Sequence, residues 1–248
     1  MKLGCEISAW QGDVDFGVMK DAGAEFVICR KQIGYYGDIR FFDYMAGAKA
    51  VGLPFGAYGV PIPGYDIPRQ AAKFMEGIDD QDLDFPPFVD VERKNSLSKS
   101  KNISDVLRYA HSLESWWGEA IFYTAKFVWE QYYSSSNGWI DDWELWVANY
   151  TVSSMPQYIP VGWEYHKDGR RVFPRTESYV IWQYSADGNG RGAEFGVSSR
   201  DVDLNRMDDE FFERYITPNG GTAAEDLRAL ANEQDAIADQ IREIANDL

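Results

Sequence analysis

The chain has 248 residues, enough for one large domain or two small ones, and its 45% hydrophobic and 15% aromatic content supports a sizeable core and excludes a disordered chain. A formal net charge of −16 argues against nucleic acid and anionic membranes as partners, because both repel such a surface. No apolar run approaches the roughly 20 residues that cross a bilayer, so a membrane partner is not expected.

From Met1 the stretch MKLGCEIS enters an alternating, strand-like pattern at once. It shows neither the charged start nor the apolar run of a secretory leader, so no signal peptide is expected. Strand candidates follow at residues 3–9, 25–30, 55–60, 88–92 and 120–124. Helix candidates lie between them at 14–22, 41–51, 68–77 and 104–117, the last with capping chemistry in Asn102-Ile103-Ser104-Asp105. Strand–helix alternation predicts an α/β fold with a parallel sheet, and the length fits a barrel.

The second half reads differently. A helix at 126–133 precedes strands at 145–149 and 179–184, and a helix at 208–215 closes the folded body. Between these strands the chain is rich in Pro, Gly, Tyr and polar residues, without a long helical period. The expectation is an irregular TIM-like (β/α) barrel with helices missing in the second half. Residues 217–222 read as a linker. Beyond it Leu227, Leu230, Gln234, Ile237, Ile241, Ile244 and Leu248 follow an a/d heptad with one polar a position. The expected organisation is a barrel over 1–216, a linker over 217–222 and an amphipathic helix over 223–248. That helix either makes the chain a homo-oligomer or docks on its own barrel.

Cys5 and Cys29 are too few for a disulfide scaffold and read as buried free thiols. With only His111 and His166 besides, a His/Cys zinc cluster is not expected. There is no Walker-type phosphate loop and no GxSxG elbow. Any chemistry falls to carboxylates, with no metal and no organic cofactor implied.

The stretch FPPFVDVER places Asp90 and Glu92 two apart in a strand candidate, hence on one face, with Cα atoms roughly 6.5–7 Å apart. Two carboxyls so close do not both ionise cheaply, and one should be raised into the general-acid range that glycoside hydrolysis uses. Spacing alone favours a solvated strand end. Two further strand ends shift the balance: Glu6 ends the first strand candidate, and Asp203 sits in VDLN near the end of the folded body. If the barrel closes, all four acids share its C-terminal mouth, where barrel enzymes gather their catalytic groups. Nine Trp, 15 Tyr and 14 Phe exceed what a core of this size needs. Trp10, Tyr58, Tyr123, Trp146, Tyr150, Trp182 and Tyr184 lie near strand ends as candidate walls of a sugar cleft, although core packing is open for each. A calcium site from the same carboxylates lacks the closely spaced oxygen loop such sites use.

The strings GCEISAWQGDVDF, AGAEFVICR, GLPFGAYGV, FVDVE, AIFYTAKF, LWVANY, WQYSADGNG and VDLN follow one another in order over roughly residues 3 to 216. The chain thereby resembles the glycoside hydrolase family 25 lysozymes, the Chalaropsis-type N-acetylmuramidases common among phage endolysins. The resemblance implies an irregular (β/α) barrel with a long groove that cleaves peptidoglycan between N-acetylmuramic acid and N-acetylglucosamine. By motif position Glu92 resembles the general acid and Asp90 its partner carboxylate. Asp203 resembles the acid of the terminal motif, and Trp182 and Tyr184 resemble groove residues. It also implies a bacterial cell-wall partner. The lysin would be made in a host cytoplasm and act after release, or be carried by the virion.

Two departures stand out. Glu6 occupies a position that is usually aspartate in the family, and Cys29-Arg30-Lys31-Gln32 replaces a Lys-Ala-Thr-like stretch. The longer Glu6 leaves open a second class of function, a glycan-binding or structural protein that kept the fold and lost turnover. A chitinase-like glycosidase is a third reading, but the fuller acidic run before its D-x-E strand is absent where Pro86-Pro87-Phe88 stands.

Overall fold

The computed structural model describes residues 1–93, 95–125, 128–134, 138–150 and 179–216. The expected linker over 217–222, the helix over 223–248 and most of the stretch between the strands near 145 and 179 lie outside them.

The strands are β1 (Lys2–Ile7), β2 (Phe26–Ile33), β3 (Tyr36–Gly37), β4 (Phe55–Val60), β5 (Phe88–Asp90), β6 (Ile121–Ala125), β7 (Leu145–Ala148), β8 (Tyr179–Ser185) and β9 (Asp203–Met207). They form one sheet in the order β1-β9-β8-β7-β6-β5-β4-β2-β3, and β1 also pairs with β2, so eight strands close into a barrel with β3 appended as a hairpin. β1, β2 and β4 through β8 run parallel to their neighbours, while β9 is antiparallel to both β1 and β8. The expected α/β barrel is therefore present. What the strand candidates did not include was β9 as a reversed closing strand, or the short β3.

Four helices cover the strands of the first half: α1 (Phe16–Asp21), α2 (Phe41–Ala50), α3 (Ile67–Met75) and α4 (Lys99–Trp117). A fifth, α5 (Asp209–Tyr215), follows β9. α3 buries Ile67, Gln70, Ala71 and Phe74, the 3-4 spacing of a single apolar stripe. Asp66 caps it by accepting from the Arg69 amide at 3.2 Å. α4 begins five residues before the expected start. Ser98, not the Asn102 region, is its cap, with the hydroxyl accepting from the Lys101 amide at 3.2 Å. Asn102 is instead buried inside the helix and donates to the Tyr132 carbonyl at 3.3 Å. Gly118 stops α4 at φ +105, a left-handed turn that other residues resist. The helix expected over 126–133 is a π-helical turn, Trp129–Tyr133, within the described residues.

Inside the barrel, side chains stack in layers as barrel geometry requires. Trp146 of β7 fills the middle: its ring lies 5.4 Å from Phe88, 6.1 Å from Tyr58 and 4.5 Å from Tyr123, and its indole N–H donates to Asn205 Oδ1 at 2.8 Å. Outside the barrel, aromatic edges fill the space between strands and helices, as in Phe41 against Phe55 at 5.5 Å and Trp117 against Tyr215 at 5.7 Å. Much of the aromatic surplus is thus core. Cys5 and Cys29 are buried free thiols, as expected. Among the described residues no helix is long and apolar enough to cross a membrane.

Candidate active site

Strand register decides which acids meet. β1 and β9 pair antiparallel with Glu6 opposite Asp203, and β5 pairs with β6 so that Asp90 stands beside Tyr123. β2 and β4 bring Arg30 beside Tyr58 in the same layer. Because β1, β2, β4, β5 and β6 run parallel, these positions lie at one end of the barrel, the C-terminal mouth.

β5 is shorter than expected and stops at Asp90. The Val91 amide still donates to the Tyr123 carbonyl at 3.0 Å, and the Glu92 amide turns back to donate to Asp90 Oδ1 at 2.9 Å. Glu92 therefore stands just past the strand, half-buried at the rim, while Asp90 and Glu6 lie deeper at 8% exposure each. The same-face argument needed a strand through Glu92; the bent-back amide takes its place.

The four acids share one electrostatic field. Burial is the largest cause holding Glu6 well above the ordinary carboxylate range; Asp203 and Glu92 add to it, and a Tyr58 hydrogen bond and Arg30 oppose it. Burial likewise raises Asp90, reinforced by Glu92 and Glu6 and opposed by the Glu92 amide and Arg93. Burial pushes Asp203 up to about 8, with Glu92, Asp187 and Asp201 contributing. A site so arranged holds protons near neutral pH and faces a half-buried carboxyl at its rim, which suits general acid chemistry with electrostatic support.

The expected aromatic walls divide by strand parity and burial. Tyr58 and Tyr123 face the acids, with the Tyr123 hydroxyl donating to Gln183 Oε1 at 2.8 Å. Tyr150, 52% exposed, donates to the same oxygen at 2.7 Å from the mouth. Trp10 is 80% exposed on a short 3-10 turn after β1, whose Ala9 amide is fixed by Asp38 Oδ2 at 3.0 Å. Trp146 is fully buried as the floor beneath Tyr123. Trp182 and Tyr184 alternate with the inward-facing Gln183, so they lie on the other face of β8. There the Trp182 indole donates to the Asn149 carbonyl at 2.9 Å and its ring lies 5.8 Å from Tyr184. The structure thus gathers Glu6, Tyr58, Asp90, Glu92, Tyr123, Tyr150 and Asp203, and leaves Trp182 and Tyr184 buried away from them.

Three residues outside the expected set join the site. Gln183 Nε2 donates to Glu6 Oε2 at 2.5 Å and to Asp203 Oδ2 at 3.3 Å. Arg30 pairs with the buried Asp38, Nη2 to Oδ2 at 2.8 Å, and lends positive charge to Glu6. For Gln183 the available signal was a polar residue in an otherwise apolar strand, which burial makes costly unless it is partnered. Among the described residues no group of three or more His, Cys, Asp or Glu is arranged to hold a metal ion.

Comparison with known proteins agrees with this fold. Residues 5–193 match the family described as glycosyl hydrolases family 25. The chain is 30% identical over 225 residues to the autolytic lysozyme of Clostridium acetobutylicum, covering 90% of this chain and 59% of that protein. It therefore spans about three fifths of that relative's length. It is 26% identical over 241 residues to lysozyme M1 of Streptomyces globisporus, covering 92% of this chain and 71% of that one. Its fold resembles a bacterial lysozyme from Streptomyces coelicolor, with TM-score 0.67 and 25% identity over 86% of this chain and 96% of the other. With the motif order, the closed barrel and a family match over most of its length, the chain belongs to glycosyl hydrolases family 25.

Proposed function

We propose that the chain is a peptidoglycan hydrolase, a bacteriolytic lysozyme of the N-acetylmuramidase type. It cleaves the β-1,4 bond between N-acetylmuramic acid and N-acetylglucosamine. Glu92, at the rim, gives its proton to the glycosidic oxygen as the bond breaks. Asp90, held in place by the Glu92 amide, is the partner carboxylate, and Asp203 and Glu6 stabilise the positive charge that develops on the sugar ring. Tyr58, Tyr123, Tyr150 and Trp10 line the approach of the glycan. The observation that carries this reading is the convergence of four carboxylates from β1, β5 and β9 on one mouth, in a chain of this family. Release of reducing sugar ends from purified cell walls is its test, with Glu92→Gln as the variant that should lose it.

A second reading is a glycan-binding protein on the same fold with weak or no turnover. The observation favouring it is Glu6, a methylene longer than the aspartate usual in the family. A binder would sediment with cell walls and release no sugar ends.

A further inference from the structure

We propose that Gln183 is a positioning residue whose single amide sets the place and charge of Glu6 and Asp203 together and ties both to the tyrosines at the mouth. The inference rests on the glycan-cleaving reading of the site and deepens it, naming the amide that opposes protonation of two of its carboxylates.

A buried primary amide offers two donors and an acceptor with two lone pairs. Gln183 is 1% exposed, and all four are used. Nε2 donates to Glu6 at 2.5 Å and to Asp203 at 3.3 Å, while Oε1 accepts from Tyr123 at 2.8 Å and from Tyr150 at 2.7 Å. The neighbours dictate this orientation. Flipped, the amide oxygen would face two carboxylates, tolerable only if both were protonated. A hydroxyl donates readily to the oxygen, and a carboxylate accepts readily from the nitrogen.

The consequence is electrostatic. Facing this amide and its two carboxylates are Arg30 from β2, Tyr58 from β4, Asp90 and Glu92 at the end of β5, and Tyr123 from β6. Tyr150 past β7, and Asp187 and Asp201 near Asp203, complete the set. Acids outnumber cations there, so repulsion and burial both favour protonation. An N–H aimed at a carboxylate works the other way, because it stabilises the ionised form. Gln183 supplies that to two acids at once. Its oxygen is held by Tyr150, which is half exposed, so the buried amide is linked through that hydroxyl to whatever binds at the mouth.

The test follows the side-chain carboxyl carbons of Glu6 and Asp203 by NMR across about pH 3 to 10 in the full chain. Wild type is compared with Gln183→Met, which keeps the length and loses the amide, and with Gln183→Glu, which keeps acceptors for the tyrosines. Both acids should bind protons about tenfold more tightly in the Met variant, the size expected for a lost hydrogen bond to a charged group. In the Glu variant the site should hold one extra proton at neutral pH. If the Met variant does not fold, the isosteric Glu variant decides. Unchanged midpoints for both acids would overturn the proposal. A structural role alone would lower the melting temperature and leave the midpoints in place. The titration needs no turnover, so a wild type that cleaves no cell wall would remove the functional reading while this claim is still decided. Where turnover is present, the acid limb of kcat/KM should move to higher pH in the Met variant.

Discussion

Glu6 and Asp203 stand opposite each other where the first strand of the barrel meets the reversed last one, and one amide, Gln183, hydrogen-bonds both. Barrel closure therefore does more than bury apolar surface: it brings an acid from the start of the chain against an acid some two hundred residues later. Neither has a catalytic neighbour in sequence.

The acid at the rim gives the first prediction. Glu92→Gln keeps shape and removes the proton, so reducing-end release should fall by about a hundredfold or more, the usual contribution of a general acid. Far-ultraviolet circular dichroism should be unchanged. Wild-type rates in the Gln variant would remove Glu92 as the acid.

Stability should depend on pH through Asp203. Its folded pKa, about 8, lies above the ordinary carboxylate value, so the folded state binds the proton more tightly. The stability this contributes is fully present below the unfolded value, near 4. It is lost as pH rises through about 8. Asp203→Asn removes the titration. Its melting temperature relative to wild type should therefore be higher at about pH 8.5 than at about pH 5. A difference independent of pH would contradict a raised pKa at this position.

Glu6 discriminates the two readings of function. Its carboxyl reaches Gln183 at 2.5 Å, and Glu6→Asp withdraws it by about one methylene, enough to lose that bond. A working enzyme adapted to glutamate should lose about tenfold in kcat or more. A gain in turnover would instead favour the binder whose site was impaired by the longer side chain.

Trp146 makes the core prediction. It is fully buried, touches Tyr58, Phe88 and Tyr123, and satisfies Asn205 Oδ1. Trp146→Ala should cost about 3–5 kcal/mol in urea unfolding. Trp146→Phe should cost less, about 1–3 kcal/mol, chiefly from the Asn205 oxygen left without its donor. Both variants lose the hydrogen bond, so equal losses would mean that the ring packing retained by Phe contributes nothing.

Local pattern carried the strands and helices of the first half, because apolar runs alternating with single amphipathic stripes reflect burial directly. β4 was legible to the residue, and α3 within two. β9 was not, since DLNRM carries an acid, an amide and a base in five residues and reads as loop until β1 and β8 are placed beside it. Asp90 was legible as the end of an apolar run; the bend that brings Glu92 back to it depends on a single hydrogen bond. Trp182 and Tyr184 looked like groove walls because they end a strand, but only parity relative to Gln183 tells inner face from outer. Gln183 itself was passed over between two aromatics, although an amide inside an apolar strand must find partners.

The central claim is tested most directly by mass spectrometry of the soluble products from purified peptidoglycan digested with the wild-type chain. The account predicts fragments ending in a reducing N-acetylmuramic acid, absent from a parallel digest with Glu92→Gln. Fragments ending in N-acetylglucosamine, or walls bound without any released ends, would contradict it.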